Sequence, residues 1–444
     1  MKKIFILFYL ILLFGSNLSA QIINLEQART LALANSRSLA RYELAIRSSI
    51  LDEKNQLYSR LPSVSADYRA SMFYFRNWEF VNPLDVFSTG ASFSITQIIF
   101  QGGKTFIHKA ISEIATESVR IDAKAEYFNV LDSVDNAYYA VLEAAASLEA
   151  EEVSLHAANL GLTIAEIRHG SGMINQGDYL KAMADKETRE NSRNQARRNL
   201  ALATTRFKNI TGITETVIPE KIDFTSYEDV LSHLAGISDE DAGILYDRFR
   251  NLMISANPSF AKAVLNSQRA EFNYSLSRRD YAPTITASVF SSDFNYSVPN
   301  GFTSNGSSGV TIRGSIPVDF WVLSNRMEKN RLALDSSAID YINAESSLEQ
   351  ELLNALSNAY AQAGSVLSLR RSLDFTETHF EFVMERYRLS QGSVSDLSDA
   401  TSLFISSRNN LNRASYSFLQ SLSRLRSLCA IDDEEQLIKI LLSN

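Results

Sequence analysis

The sequence predicts a mainly α-helical chain that also carries membrane β-strands and is built as an internal two-fold repeat. Three observations carry that reading. Two very long stretches hold no proline and keep helical periodicity, whereas four shorter ones alternate apolar and polar side chains with period two. The second half of the chain also repeats the first about 218 residues later.

The segment 1–20 reads as a secretory signal. Lys2 and Lys3 precede the apolar run Ile4 to Phe14, and Leu18-Ser19-Ala20 supplies a small-residue end. That run is too short to cross a bilayer, which takes about 20 residues. No cysteine follows the cut, so a lipid-modified N-terminus is not expected. Removing the signal leaves 41 basic and 51 acidic residues, and 41 − 51 = −10 is too acidic for a general nucleic-acid binder. Cys429 is the only cysteine, so this exported chain has no disulfide and must hold itself by packing; Cys429 reads as a small apolar filler. No later stretch has the length of a transmembrane helix, so entry into a membrane must be as strands.

The repeat is plainest in IRHGSGMINQGDYLKA (Ile167 to Ala182) and ERYRLSQGSVSDLSDA (Glu385 to Ala400), which align without a gap. Arg168 falls on Arg386, and Asp178 on Asp396. Earlier, Ala34-Asn35-Ser36 matches Ala256-Asn257-Pro258, and LPSVSADY at Leu61 matches APTITASV at Ala282. The expected organisation is a signal (1–20), a first repeat (21–212) with a hairpin at 63–98, a connector (213–245), a second repeat (246–430) with a hairpin at 284–317, and a tail (431–444).

Each half reads as helix, two strands, very long helix, tight turn, helix. The first helix runs from about Leu25 to Arg60 and is stopped by Pro62. In the strand that follows, Val64, Ala66, Tyr68, Ala70 and Met72 share one face, with Ser65, Asp67, Arg69 and Ser71 on the other. The return strand sets Ala91, Phe93 and Ile95 against Ser92, Ser94 and Thr96; Ile285, Ala287, Val289, Val310 and Ile312 do the same in the second half. From Lys104 to Ile167 the only glycine is Gly161, and Tyr127, Leu131, Val134, Tyr138, Val141, Ala145 and Leu148 keep a four-three spacing. Leu348, Leu352, Ala355, Ala359, Gln362, Val366 and Leu369 repeat it within a helix from Arg326 to Arg386. At ~1.5 Å per residue the first long helix spans about 95 Å, twice either flanking helix, which predicts a rod. The connector reads as acidic and irregular, and the tail as a short helix.

Four strands cannot close a sheet in lipid, so copies must share one barrel. Two copies fill their lumen with side chains; three leave room for a passage.

These residues together resemble the TolC-like outer-membrane efflux protein family over essentially the whole mature chain. The resemblance lies in the repeat, the strand-then-GG junction SITQIIFQGGK, the glycine-bearing tip turns, and SDLSDATSLFISSRNNLNRASYSFL (Ser395 to Leu419). It implies a homotrimer whose twelve-stranded outer-membrane β-barrel, four strands per chain, continues as a long α-helical coiled-coil barrel in the periplasm. It also implies a periplasmic adaptor (membrane fusion protein), an inner-membrane pump of the RND, ABC or MFS type, outer-membrane lipid around the strands, and no cofactor.

Asp396 and Asp399 lie one helical turn apart, and in a trimer they would make two rings of three carboxylates that favour cations and raise one another's pKa. The resemblance matches them to the family's constriction aspartates; capping the helix is the alternative for Asp396, and for Asp178. It also implies a tip latch at Asp178 and Tyr387, and adaptor contacts at Gly170, Ser171, Gly172, Met173, Leu389 and Ser390. Phe320 and Trp321, at a junction that lacks the GG pair, are expected at the membrane interface.

Enzyme signals are weak. GGKT at Gly102 lacks the earlier glycine of a phosphate loop, no histidine pair has metal-ligand spacing, and no nucleophile pattern is present. The competing readings are an exported coiled-coil spacer or adhesin and, within the channel class, an exit for type I protein secretion.

Overall fold

The computed structural model describes residues 21–72, 75–76, 79–80, 87–215, 217–297, 301–303 and 307–442; the expected signal lies outside them. The first half comprises β1 (Gln21–Ile23), α1 (Leu25–Asn35), α2 (Arg37–Tyr58), β2 (Ser63–Met72), the short β3 (Phe75–Arg76) and β4 (Glu79–Phe80), β5 (Phe87–Phe100), α3 (Lys104–Gly170) and α4 (Gln176–Thr211). β6 (Val217–Pro219) and α5 (Glu228–Ala235) follow. The second half runs α6 (Asp239–Ala256), α7 (Pro258–Arg278), β7 (Thr284–Ser297), β8 (Gly301–Thr303), β9 (Ser307–Ser315), α8 (Phe320–Arg388) and α9 (Val394–Leu428), and α10 (Glu434–Leu442) closes the chain.

One predicted helix proves to be two. The stretch from Leu25 to Arg60 breaks at Ser36, which is extended, and the second half breaks at Asn257 in the same way. The reason is a shared side-chain role. Asn35 Nδ2 donates to the carbonyl of Thr211, and Asn257 Nδ2 to that of Leu428, each at 2.8 Å. Those are the final residues of α4 and α9, so each asparagine satisfies a carbonyl left open at a helix C-terminus. The matching Ala-Asn-Ser and Ala-Asn-Pro triplets therefore mark the breaks.

The chain divides into two units. The helical unit comprises the residues up to Leu39, Glu126–Asn257, and Glu349 onward. Leu131, Val134, Tyr138 and Val141 of the α3 seam are buried there, as are Leu352, Ala355, Ala359 and Val366 of α8. Burial also takes in Leu142, Leu356 and Ala363, a wider stripe than the four-three spacing predicts, and Phe418, Leu419, Leu422 and Leu425 of α9 are buried as well. The Asp135 carboxylate is fully buried among four charge-assisted bonds: two from Arg29 (2.7 and 2.9 Å), one from Ser423 (2.6 Å) and one from Arg426 (2.7 Å). Arg29 also bonds Glu434, whose carboxylate accepts from the Tyr227 hydroxyl, so α1, α3, α9, α10 and the connector meet at one polar centre.

The connector is ordered, not irregular as its sequence reads. β6 pairs in parallel with β1, and the Tyr138 hydroxyl lies 2.8 Å from the Glu220 carbonyl just beyond it. Val230, Leu231 and Leu234 of α5 are buried, and α6 already begins at Asp239, capped by Ser238. The apolar spacing over residues 230–234 is too short to stand out from an acidic background.

The strand unit comprises Ala40–Ala125 and Pro258–Leu348. Its sheet has the order β2–β5–β7–β9, all antiparallel, with β8 also on β7. The central pair thus joins one strand from each repeat. Register places Val64, Ile95, Val289 and Val310 in one row across four strands, and Ser63, Thr96, Ser288 and Thr311 in the next, on the opposite face. Hydroxyls bond across that polar face, Thr96 to Ser288 at 3.0 Å and Ser65 to Ser94 at 2.8 Å. Val64 and Val310 are 64% and 72% exposed, so the apolar face is bare in a single chain. β2 and β9 each pair on one side only among the described residues.

At the strand-to-helix junction Gly102 and Gly103 have φ +62° and +74°, and a Cβ on Gly102 would stand 2.4 Å from the Cβ of Ala282. Asp280 accepts from Lys104 (2.7 Å) and Arg326 (3.1 Å), which ties the starts of α3 and α8 to the approach to β7. Burial works to raise the Asp280 carboxyl, but those two cations outweigh it and hold it below the usual range. The lysine of the GGKT stretch is thus engaged by a carboxylate.

Candidate functional site

Two tip turns end the hairpins α3–α4 and α8–α9. They are built alike, from residues 218 positions apart. Met173 N–H bonds the Arg168 carbonyl and Gln391 N–H the Arg386 carbonyl, both at 2.8 Å; Gly172 and Ser390 bond back to His169 and Tyr387 at 3.0 and 3.1 Å. Such paired bonds close a helix C-terminus through one left-handed residue. That residue is Gly172 in the first turn, φ +73°, and Ser390 in the second, φ +64°.

The following helices are capped by Asn175 and Ser393, not by the aspartates. Asp178 and Asp396 stand three residues further on. Each backbone N–H bonds the cap side chain, at 2.9 and 3.0 Å. Asp396 returns a bond to Ser393 N–H at 3.1 Å, a reciprocal box; Asp178 instead accepts from the Asn175 side chain at 3.0 Å. The caps expected at Asp178 and Asp396 thus lie three positions earlier, at Asn175 and Ser393, and the aspartates take the third helical position. The Ser393 backbone N–H, with help from its hydroxyl, holds the Asp396 carboxyl below the usual range. Crowding that would raise such groups belongs to a ring of several copies. Asp399 lies on the same helix face and is exposed.

Tyr387 and Asp178 do not meet in a hydrogen bond. The Tyr387 hydroxyl donates to the Gly161 carbonyl at 3.0 Å, and the ring is fully buried. Burial raises its phenol, Arg168 opposes that and Asp178 adds to it, so the carboxylate acts on the tyrosine only through space. Around it Ala165, Ala182, Val383, Val394, Leu397 and Ala400 form the apolar core of the tip. A Cβ on Gly161 would stand 3.1 Å from the Leu397 side chain, a tight approach at the one glycine of an otherwise unbroken run.

Arg168, which sequence reasoning noted only as a repeat match, is nearly buried. Its guanidinium lies 4.4 Å over the Tyr387 ring, and it donates to the carbonyls of Gly392 (3.1 Å) and Tyr387. The hairpins are also joined by Lys181 to Ser395 (2.6 Å) and Arg189 to Ser402 (2.6 Å). Gly170, Ser171, Gly172, Met173, Leu389 and Ser390 are all exposed, Met173 at 71% and Leu389 at 60%. In the strand unit Phe320 and Trp321 open α8 and are exposed, with the Phe320 ring parallel to Tyr281 at 6.4 Å.

The family model for outer membrane efflux proteins matches residues 28–213 and 250–430, the two repeats in turn. No curated protein sequence matches the chain. Among solved structures, the Campylobacter jejuni CmeC outer membrane channel is 14% identical with TM-score 0.74, over 97% of this chain and 94% of that one. The Vibrio cholerae outer membrane protein VceC is 14% identical, TM-score 0.70, over 91% and 95%. The open state of the Neisseria gonorrhoeae MtrE outer membrane channel is 15% identical, TM-score 0.66, over 94% and 93%. At these identities the likeness is one of fold.

Proposed function

This chain belongs to the outer membrane efflux protein family, and from that premise we propose that three copies form the exit duct of a tripartite efflux pump. Membership makes it a non-enzymatic outer-membrane channel and removes the spacer and adhesin reading. Each copy supplies four strands to one barrel and its helices to the tunnel beneath. A periplasmic adaptor meets the tips at Met173 and Leu389, and an inner-membrane pump of the RND, ABC or MFS type drives the cargo. Phe320 and Trp321 sit at the membrane interface. Asp396 and Asp399 form the constriction and prefer cations.

The observation that carries this reading is the four-strand sheet. One face presents the row Val64, Ile95, Val289, Val310, the other hydroxyls, and among the described residues both outer strands keep a free edge. An apolar face with a wet reverse suits a barrel wall, and free edges suit closure by further copies.

Planar-bilayer conductance of the detergent-extracted protein, with the double variant Asp396→Asn/Asp399→Asn beside it, tests both claims. Discrete cation-preferring steps that lose their preference in the variant are expected. Steps unaltered by the variant would return Asp396 to helix capping alone, and no steps from a protein that is also monomeric would remove the duct.

A further inference from the structure

We propose that Arg168 clasps the two tip turns of one chain together, so that the second turn, with Asp396 and Asp399, moves with the first hairpin. The clasp rests on the constriction reading above only for its effect on conduction. Arg168 stands in the last turn of α3 and is 6% exposed. Its two acceptors, the carbonyls of Tyr387 and Gly392, lie on either side of the left-handed Ser390. Gly392 directly precedes the Ser393 cap. A planar guanidinium that grips both sides of a turn fixes its span, and its stacking on the Tyr387 ring fixes where the turn sits.

The repeat supplies an internal comparison. Arg386 occupies the equivalent place at the end of α8, yet it is exposed. It donates to Gln391 of its own turn at 3.0 Å and stands 5.9 Å from the Phe382 ring. The same residue type at the same repeat position closes its own turn in one case and reaches across to the other hairpin in the second. Because the tie lies within one chain, the motion it leaves free is that of one chain's tip against its neighbour's.

The test measures amide hydrogen exchange over residues 388–396, together with bilayer conductance, in the full-length detergent-extracted protein. Arg168→Gln is compared with Ile167→Gln, which alters an exposed neighbour on the same helix. Loss of two bonds from a charged donor should speed exchange at the second turn about tenfold or more. Ile167→Gln should leave exchange there unchanged. Faster exchange with larger conductance supports the clasp and the constriction together. Faster exchange with unchanged conductance supports the clasp and instead removes the constriction reading. Unchanged exchange overturns the clasp whatever the conductance does. If Arg168→Gln yields no folded protein, Arg168→Lys, which keeps the charge and loses the fork, takes the same readings, with a smaller acceleration expected.

Discussion

Gly172 and Ser390 occupy the same point of the same turn, both left-handed, with φ of +73° and +64°. Only the first is a residue to which that conformation comes without steric cost. A side chain there is disfavoured by roughly 1–2 kcal/mol. Ser390→Gly should therefore stabilise the tip by about 0.5–1 kcal/mol, the greater chain entropy of glycine offsetting part of the gain. Gly172→Ala should destabilise it by about 1 kcal/mol. Denaturant titration of the two variants reads both signs, and a destabilised Ser390→Gly would show that Ser390 is not strained.

Asp135 should be the most sensitive charged position. Asp135→Ala removes the acceptor that the buried Arg29 and Arg426 share, leaving Arg29 only Glu26 and Glu434 and Arg426 no carboxylate among the described residues, a change of the kind that costs about 3–5 kcal/mol. Loss of folded protein, or a large fall in denaturation midpoint, is expected. Replacing the exposed Arg47, whose partner is Glu43 on the same helix, should shift that midpoint by well under 1 kcal/mol.

Acid should unfasten the second tip. The folded-state pKa of Asp396 is depressed, so its capping contribution is complete above the unfolded value, about 3.9, and disappears as pH falls through the lower folded value. The advantage of the native protein over Asp396→Asn in thermal midpoint should hold at about pH 6 and shrink only as pH falls below the ordinary aspartate value of about 3.9. Equal midpoints at every pH would leave the capping bond without weight.

The strand-to-helix junction tolerates no side chain at Gly102. Gly102→Ala adds a carbon 2.4 Å from the Ala282 Cβ and imposes a left-handed φ on alanine, so insertion into membranes should fail or fall sharply. Gly243, with open space around its would-be Cβ and a place inside α6, should accept alanine with a gain of roughly 0.5–1 kcal/mol. A membrane-inserted Gly102→Ala of normal yield would mean that the junction can open.

The sequence by itself determined the repeat, the two long helices, the strand faces, the tip turns and the family. Each is written in local periodicity or in a gapless internal match, and periodicity is a property of neighbours in the chain. Only the tertiary structure decided what depends on partners far apart in sequence. It split the first helix at Ser36, because Asn35 is needed at the end of α4, 176 residues later. It moved the caps from Asp178 and Asp396 to Asn175 and Ser393, a choice between adjacent polar residues that backbone geometry alone makes. It paired β5 with β7, one strand from each repeat, and set the Tyr387 hydroxyl on the Gly161 carbonyl. Arg168 shows the division most clearly. The repeat equates it with Arg386, but packing buries one guanidinium against the other hairpin and leaves its counterpart exposed, a difference no local pattern encodes.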